Sequence, residues 1–396
     1  MIRSKMFKIQ TLNAIDPEGL SLLSLGNYEI ASELPNPDAI VLRSYRMHDM
    51  ELPPSLKAVA RAGAGVNNIP IEKCTEKGVV VFNTPGANAN GVKEMVIAGL
   101  MLASRDIIDG AIWAKSLIGK GNKIPALIEK GKKNFVGQEI NGKTLAVIGL
   151  GAVGVLVANA AKSLGMNVIG YDPYISVEQA LKLSNRVNWV KGIEVLLTQA
   201  DYVTLNIPLT PETKGYINKD KLKMMKNNVR ILNFARGELV DINDLKAAIA
   251  SGKVAKYITD FPDEEMLKID NVIAVPHLGA STKESEINCA VMAINQLKDF
   301  LENGNITNSV NFPTAIMERH EGCRILIANK NIPNMVSQIS SILAIENINI
   351  DSMLNRKYNG IAYNIIDITQ KTINKSVIKK LNEIDGVSMV RIIQAK

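Results

Sequence analysis

Of the three histidines in this sequence, His48, His277 and His320, only His277 has companions suited to proton transfer. It follows the apolar run Val272-Ile273-Ala274-Val275 and Pro276. That position predicts an imidazole at the carboxyl edge of a parallel sheet, where ligands bind in open α/β folds. Arg236 in Asn233-Phe234-Ala235-Arg236-Gly237 and Glu265 in Asp260-Phe261-Pro262-Asp263-Glu264-Glu265 also follow strand-like runs, so the three groups are expected on one edge. A lone histidine there is more often a packing residue; the guanidinium and carboxylate shift the balance. An imidazole titrating near neutrality suits removal of a hydroxyl proton while a hydride leaves a secondary alcohol for a nicotinamide. A nearby carboxylate would favour the imidazolium and orient the ring. An arginine fork would take a substrate carboxylate.

A second motif supplies a place for the cofactor. Gly149-Leu150-Gly151-Ala152-Val153-Gly154 fits G-x-G-x-x-G between a predicted strand, residues 143–148, and a predicted helix, residues 153–164. Gly149 permits the tight turn, Gly151 the approach of a pyrophosphate to helix N-terminal amides, and Gly154 close helix–sheet packing. Asp172 closes the next strand, where a carboxylate accepts from ribose hydroxyls and repels a 2′-phosphate, so NAD is favoured over NADP. The alternative is that Asp172-Pro173 only starts a turn.

The remaining chain must position these groups. At 396 residues, two or three domains are expected. Predicted strands at residues 167–172, 202–206, 229–234, 256–260 and 272–275 alternate with helix-length segments, which predicts a doubly wound parallel sheet. A weaker alternation, with strands at 39–42, 58–60 and 79–82, predicts a smaller α/β domain. Helices at 91–104 and 283–302 join the two. Beyond the linker at 303–320 the order β-α-β-β-α-β is ferredoxin-like. The domains expected are therefore 1–90 with 283–310, 91–282, and 320–396.

Composition removes other classes. Lys and Arg exceed Asp and Glu by 46 to 39, a surplus of 7, but they are interleaved with acids, and the Lys219–Lys226 cluster reads as a solvated helix face, so nucleic acid is set aside. The apolar run 145–158 is interrupted by glycines and is shorter than the ~20 residues of a membrane-spanning helix. The basic start, Met1–Lys8, leads into no signal-peptide segment, and three widely spaced cysteines suggest neither a metal site nor disulfides. A cytoplasmic location is the expectation.

These motifs, with Arg61-Ala62-Gly63-Ala64-Gly65-Val66-Asn67-Asn68-Ile69, Asn83-Thr84-Pro85-Gly86-Ala87-Asn88 and Pro276-His277-Leu278-Gly279-Ala280-Ser281-Thr282, resemble the D-isomer-specific 2-hydroxyacid dehydrogenases over nearly the whole chain. Within that family the resemblance is to the branch acting on phosphoglycerate. It implies NAD-dependent oxidation of 3-phospho-D-glycerate to 3-phosphohydroxypyruvate, the entry to L-serine synthesis. It assigns catalysis to Arg236, Glu265 and His277. It places Ala152, Val153, Pro208, Ala235, Asp260 and Gly279 with the glycines and Asp172 around the cofactor, Asp260 holding the nicotinamide carboxamide. Arg43, Ser44, Ala64, Gly65 and Asn88 fall on the substrate side. The usual Asp-Val-Phe is here Asp260-Phe261-Pro262, so Glu265 is chosen over Glu264 by its spacing from Arg236. Lys93 has no assigned role. A glyoxylate or hydroxypyruvate reductase would share these catalytic groups, and a non-catalytic nucleotide sensor would share the glycine motif.

Residues 320–396 resemble an ACT domain. That implies an L-serine effector held by Asn329, Asn331 and Asn349, although Asn334 stands where glycine is common. The alternative is a domain that only assembles subunits. A homodimer is expected from the apolar helix at 91–104, with a tetramer through the tail.

Overall fold

In the computed structural model, which describes residues 6–395, the chain is α/β with three sheets. Residues 1–5, part of the basic start, lie outside the described residues. The chain divides into two compact units, residues 1–88 with 286–396, and residues 89–285.

The first unit holds β1 (Phe7–Leu12), β2 (Tyr28–Ala31), β3 (Ala39–Leu42), β4 (Ala58–Arg61) and β5 (Val80–Phe82) in the parallel order β2-β1-β3-β4-β5. The central run Ala39-Ile40-Val41-Leu42 is buried at every position, as a strand covered on both faces requires. One cover is the helix Lys283–Asn303, which turns Cys289, Ala290, Ala293, Ile294, Leu297, Phe300 and Leu301 into the core at helical spacing. The Asn311 side chain finishes the edge of β5. Its Oδ1 accepts from the Val81 N–H and its Nδ2 donates to the Val79 carbonyl.

The second unit holds β6 (Thr144–Ile148), β7 (Asn167–Tyr171), β8 (Asn188–Trp189), β9 (Tyr202–Leu205), β10 (Val229–Asn233), β11 (Val254–Thr259) and β12 (Val272–Ala274). They pair in parallel as β12-β11-β10-β9-β6-β7-β8. This is the doubly wound order, reversing between β6 and β9. The helix Ala89–Ser104 buries Val96, Leu100 and Ala103 in the core with Val147 and Leu232. Part of its apolar character is therefore spent within the chain, while Val92, Met95, Ile97 and Met101 are only half-buried.

The last strands, β13 (Arg324–Lys330), β14 (Ile350–Tyr358), β15 (Ile361–Ile368) and β16 (Val387–Ile393), form the antiparallel order β14-β15-β13-β16 expected of a ferredoxin-like unit. Alternation along β13 is two-sided. Ile325 and Ile327 face the helices Met335–Ile345 and Lys375–Asn382, while Leu326 and Ala328 join Phe300, Leu301 and Phe312 in the core of the first unit. The tail thus shares a core with the first sheet.

One buried cation fastens it. Arg324, fully buried, gives two hydrogen bonds of 2.7 Å to the Asp367 carboxylate and three more to the carbonyls of Asn303, Met317 and Glu318. All five donors of the guanidinium are used. Arg324→Met should therefore strand a buried carboxylate and cost about 3–5 kcal/mol in chemical unfolding, and a second change, Asp367→Leu, should recover most of that loss.

Candidate active site

In a parallel sheet every strand ends on the same edge, so the loops after β6, β9, β10, β11 and β12 share one edge of the second unit. The glycine loop follows β6. Gly149 adopts φ 90°, and its N–H donates to the Tyr171 carbonyl. A Cβ on Gly154 would lie 1.9 Å from the Gly149 oxygen, so that glycine is needed for the turn itself. A Cβ on Gly151 would meet nothing within 4 Å. Gly151 is the N-cap of the helix Ala152–Ser163 and brings no capping side chain, so it leaves open space in front of first-turn amides, including those of the half-buried Ala152 and Val153. That is the cradle a phosphate group fits. Asp172 follows β7 directly, but both its oxygens already serve the backbone, Oδ2 accepting from Leu150 N–H and Oδ1 from Tyr174 N–H at 2.8 Å. It ties the glycine loop to the neighbouring strand and also makes the turn its sequence allowed. Each oxygen keeps a second lone pair. The Pro208 carbonyl, in the loop after β9, accepts from the Thr213 hydroxyl.

Asp260, after β11, is buried, and three successive N–H groups converge on it. His277 N–H donates to its carbonyl, Leu278 N–H to Oδ1 at 2.6 Å and Gly279 N–H to Oδ2 at 2.7 Å. Burial pushes the Asp260 carboxyl above its ordinary range, opposed by the two amides on its oxygens. His277 sits at φ 54°, in the left-handed region that non-glycine residues seldom adopt. Its ring packs on Phe261, centroids 4.9 Å apart. Asp260, Phe261 and His277 line one cavity of 920 Å³ with Gly237, Glu238 and Lys214.

The loop after β10 is shaped by Asn233, a fully buried residue that sequence reading did not single out. Its side chain donates to the Arg236 carbonyl and the Tyr257 hydroxyl and accepts from Ala235 N–H. Arg236 itself is turned onto the Ala235 carbonyl, with its guanidinium 6.0 Å from the Phe261 ring. Glu265 is placed differently from its expected role. Its carboxylate, 64% exposed, pairs with Lys268 at 2.9 Å, as does that of Glu264. The structure brings His277 and Arg236 to one ring, that of Phe261, and gives Glu265 another partner.

In the first unit the candidate residues follow β3, β4 and β5. The Arg43 guanidinium pairs with Glu286 at 2.7 Å, and its carbonyl accepts from Arg61 Nε. Arg61 also donates to the Gly65 carbonyl, and Asn83 to that of Ala64. Ser44 and Ala64 are exposed and Asn88 half-buried. Arg61, overlooked as a site residue although quoted in its motif, organises this loop.

In the tail, Asn329 and Asn331 line a 290 Å³ cavity with Asn334, Asn355 and Ser337; Asn349 is exposed and not part of that lining. Asn334 has φ 70°, so it reproduces the backbone that a glycine would supply. An amide relay runs from exposed Asn355, which lines the cavity, through buried Asn364 to buried Asn329. It was missed because asparagines on three neighbouring strands have no spacing signature.

Residues 99–279 match the family described as D-isomer specific 2-hydroxyacid dehydrogenase, NAD binding domain. The D-3-phosphoglycerate dehydrogenase of Haemophilus influenzae is 30% identical over 362 residues, 87% of this chain and 83% of that protein. That of Methanocaldococcus jannaschii is 35% identical over 333 residues, 79% of this chain but 61% of the relative. The chain thus spans about three-fifths of that relative, and 54% of the one from Archaeoglobus fulgidus. Among solved structures, an NAD+-bound 3-phosphoglycerate dehydrogenase of Entamoeba histolytica has TM-score 0.61 and 29% identity, covering 77% of this chain and 99% of that one. A glyoxylate reductase of Paecilomyes thermophila has TM-score 0.63 and 27% identity, covering 77% of this chain and 98% of that one.

The two glycines separate folding from binding. Gly151→Ala should leave the thermal midpoint within about 1 °C of wild type and weaken dinucleotide binding in a fluorescence titration. Gly154→Ala should lower the midpoint by several degrees, a cost of about 1–3 kcal/mol at roughly 2–4 °C per kcal/mol.

Proposed function

The chain belongs to the D-isomer specific 2-hydroxyacid dehydrogenases, and on that premise we propose that it oxidises 3-phospho-D-glycerate to 3-phosphohydroxypyruvate with NAD, the first step of L-serine synthesis. The observation that carries this reading is the placement of His277, Phe261 and Arg236 after three adjacent strands, on the same sheet edge as an open glycine cradle.

The glycine loop and the first amides of helix Ala152–Ser163 would hold the pyrophosphate, and Asp172 the ribose through its remaining lone pairs. When bound, NAD supplies the hydride acceptor. The protein's own work is proton removal and orientation. His277 takes the hydroxyl proton of the substrate, and Arg236 swings from the Ala235 carbonyl to the substrate carboxylate and α-oxygen. For Glu265 to hold the imidazole it must first leave Lys268, and this exposed pair costs little to break. Arg43, Ser44, Ala64, Gly65 and Asn88 are assigned to the substrate side, with Arg61 added because it holds the Gly65 carbonyl. Ala235, Asp260 and Gly279 are assigned to the nicotinamide end, and Pro208 to the adenosine side of that cofactor.

The tail cavity suits the ammonium and carboxylate of a small amino acid, and we assign L-serine to Asn329 and Asn331, with Asn355 in place of Asn349. Subunit pairing is assigned to the segment Ile107–Val136, where Ile107, Ile112, Ile118 and Val136 are each at least half exposed. No helix among the described residues is long and apolar enough to cross a membrane, and all three cysteines are free and buried, in keeping with a cytoplasmic enzyme.

The likeness to a glyoxylate reductase favours a second reading, reduction of glyoxylate or hydroxypyruvate by the same groups. Absorbance at the NADH band, with NAD and 3-phosphoglycerate in one cuvette and NADH and glyoxylate in another, decides between them; silence in both leaves only a sensor. His277→Ala should lower turnover about 10²–10⁴-fold and leave NADH binding intact. Ile112→Asp should shift the protein from dimer to monomer in light scattering.

A further inference from the structure

We propose that Phe261 is a positioning residue that sets the orientation of His277, and with it Arg236, by ring contact. The inference deepens the dehydrogenase reading and rests on it. The sheet order puts β11 between β10 and β12, so the residue after β11 stands between those after its neighbours. Phe261 occupies that place, with the His277 ring centroid 4.9 Å away at 55° and the Arg236 guanidinium carbon 6.0 Å away. An edge or tilted contact at this distance is favourable between aromatic rings, and a guanidinium near a ring face is held by the quadrupole.

Three further features fit that role. A Cβ at Gly237 would lie 3.1 Å from the Phe261 Cβ, so the Arg236 loop is trimmed to let the ring in. The Phe261 N–H donates to the Thr259 hydroxyl, which fixes the ring's point of departure from the strand. The backbone of His277 is pinned through Asp260, while its imidazole has no hydrogen-bonding side chain among the described residues. With Glu264 and Glu265 both on Lys268, the imidazole is left with the Phe261 ring in contact and the Asp260 carboxylate as its charged neighbour. An arginine held over a ring and a single short carbonyl contact is also free to swing without leaving a buried ion pair behind.

The test uses the whole protein with Phe261→Leu, which keeps apolar bulk, and Phe261→Tyr, which keeps the ring. The first readout needs no turnover. With three histidines in the chain, the His277 imidazole proton resonances are assignable by their loss in His277→Ala. They are expected to carry a ring-current shift that disappears in Phe261→Leu and persists in Phe261→Tyr, while those of His48 and His320 stay in place. The second is steady-state oxidation of 3-phosphoglycerate by NAD. Phe261→Leu is expected to lower kcat about tenfold, a fraction of the roughly 10²–10⁴ of the base itself, with KM for NAD unchanged and kcat restored in Phe261→Tyr. Unmoved His277 resonances in Phe261→Leu overturn the proposal whatever the activity. So does wild-type kcat in Phe261→Leu while His277→Ala is impaired. An active enzyme in which His277→Ala has no effect instead removes the dehydrogenase reading of the site, and the resonances still report the ring contact.

Discussion

Because every strand of the two larger sheets runs in the same direction, each sheet has one edge at which all its strand-following loops emerge, and the dehydrogenase candidates stand in or beside those loops. The constraint is backbone geometry rather than any side chain. Parallel strands need crossover connections, the crossovers cover both faces, and only the loops at the ends stay open to ligands. The glycine cradle after β6, Arg236 after β10, Asp260 after β11 and His277 after β12 share an edge for this reason. Fine placement is then local. Asp260 takes three consecutive amides and fixes the backbone of the histidine loop, and Asn233 does the same for the arginine loop.

Much of this was legible in the chain itself. The run Ala39–Leu42, the strands β6, β7 and β9 to β12, and the order of the tail fall within two residues of where apolar runs and turn residues put them, since buried parallel strands and glycine turns leave strong local signals. The short β8 carried no such signal: two exposed residues at a sheet edge have neither length nor apolarity. Side-chain pairing was less legible. Spacing from Arg236 selected Glu265, yet a lysine one helical turn on is a nearer partner than any residue of another loop. The Asx turn at Asp172 and the exposed position of Asn349 show the same limit, because a motif fixes where a residue stands and not which neighbour its atoms choose.

The apolar helix Ala89–Ser104 illustrates how much apolar composition packing within a chain consumes. Its small and branched residues are what close packing against Val147, Leu232 and Phe234 demands, and Gly99 lies so near the Phe234 ring that a Cβ would sit 2.9 Å from it. Apolar surface is instead displayed by the segment after it, on short helices with little of their own to bury against.

The sealing of the tail sheet has a mechanical meaning. β13 is a single extended strand, with Asn329 near one end at the amide cavity and Arg324 at the other, some 17 Å away at about 3.4 Å per residue. Through Arg324 the rod is bolted to the last turn of the long helix at Asn303, and its broad side lies flush against Phe300 and Phe312. The amide cavity and the long helix are therefore joined by one continuous strand and not by a linker.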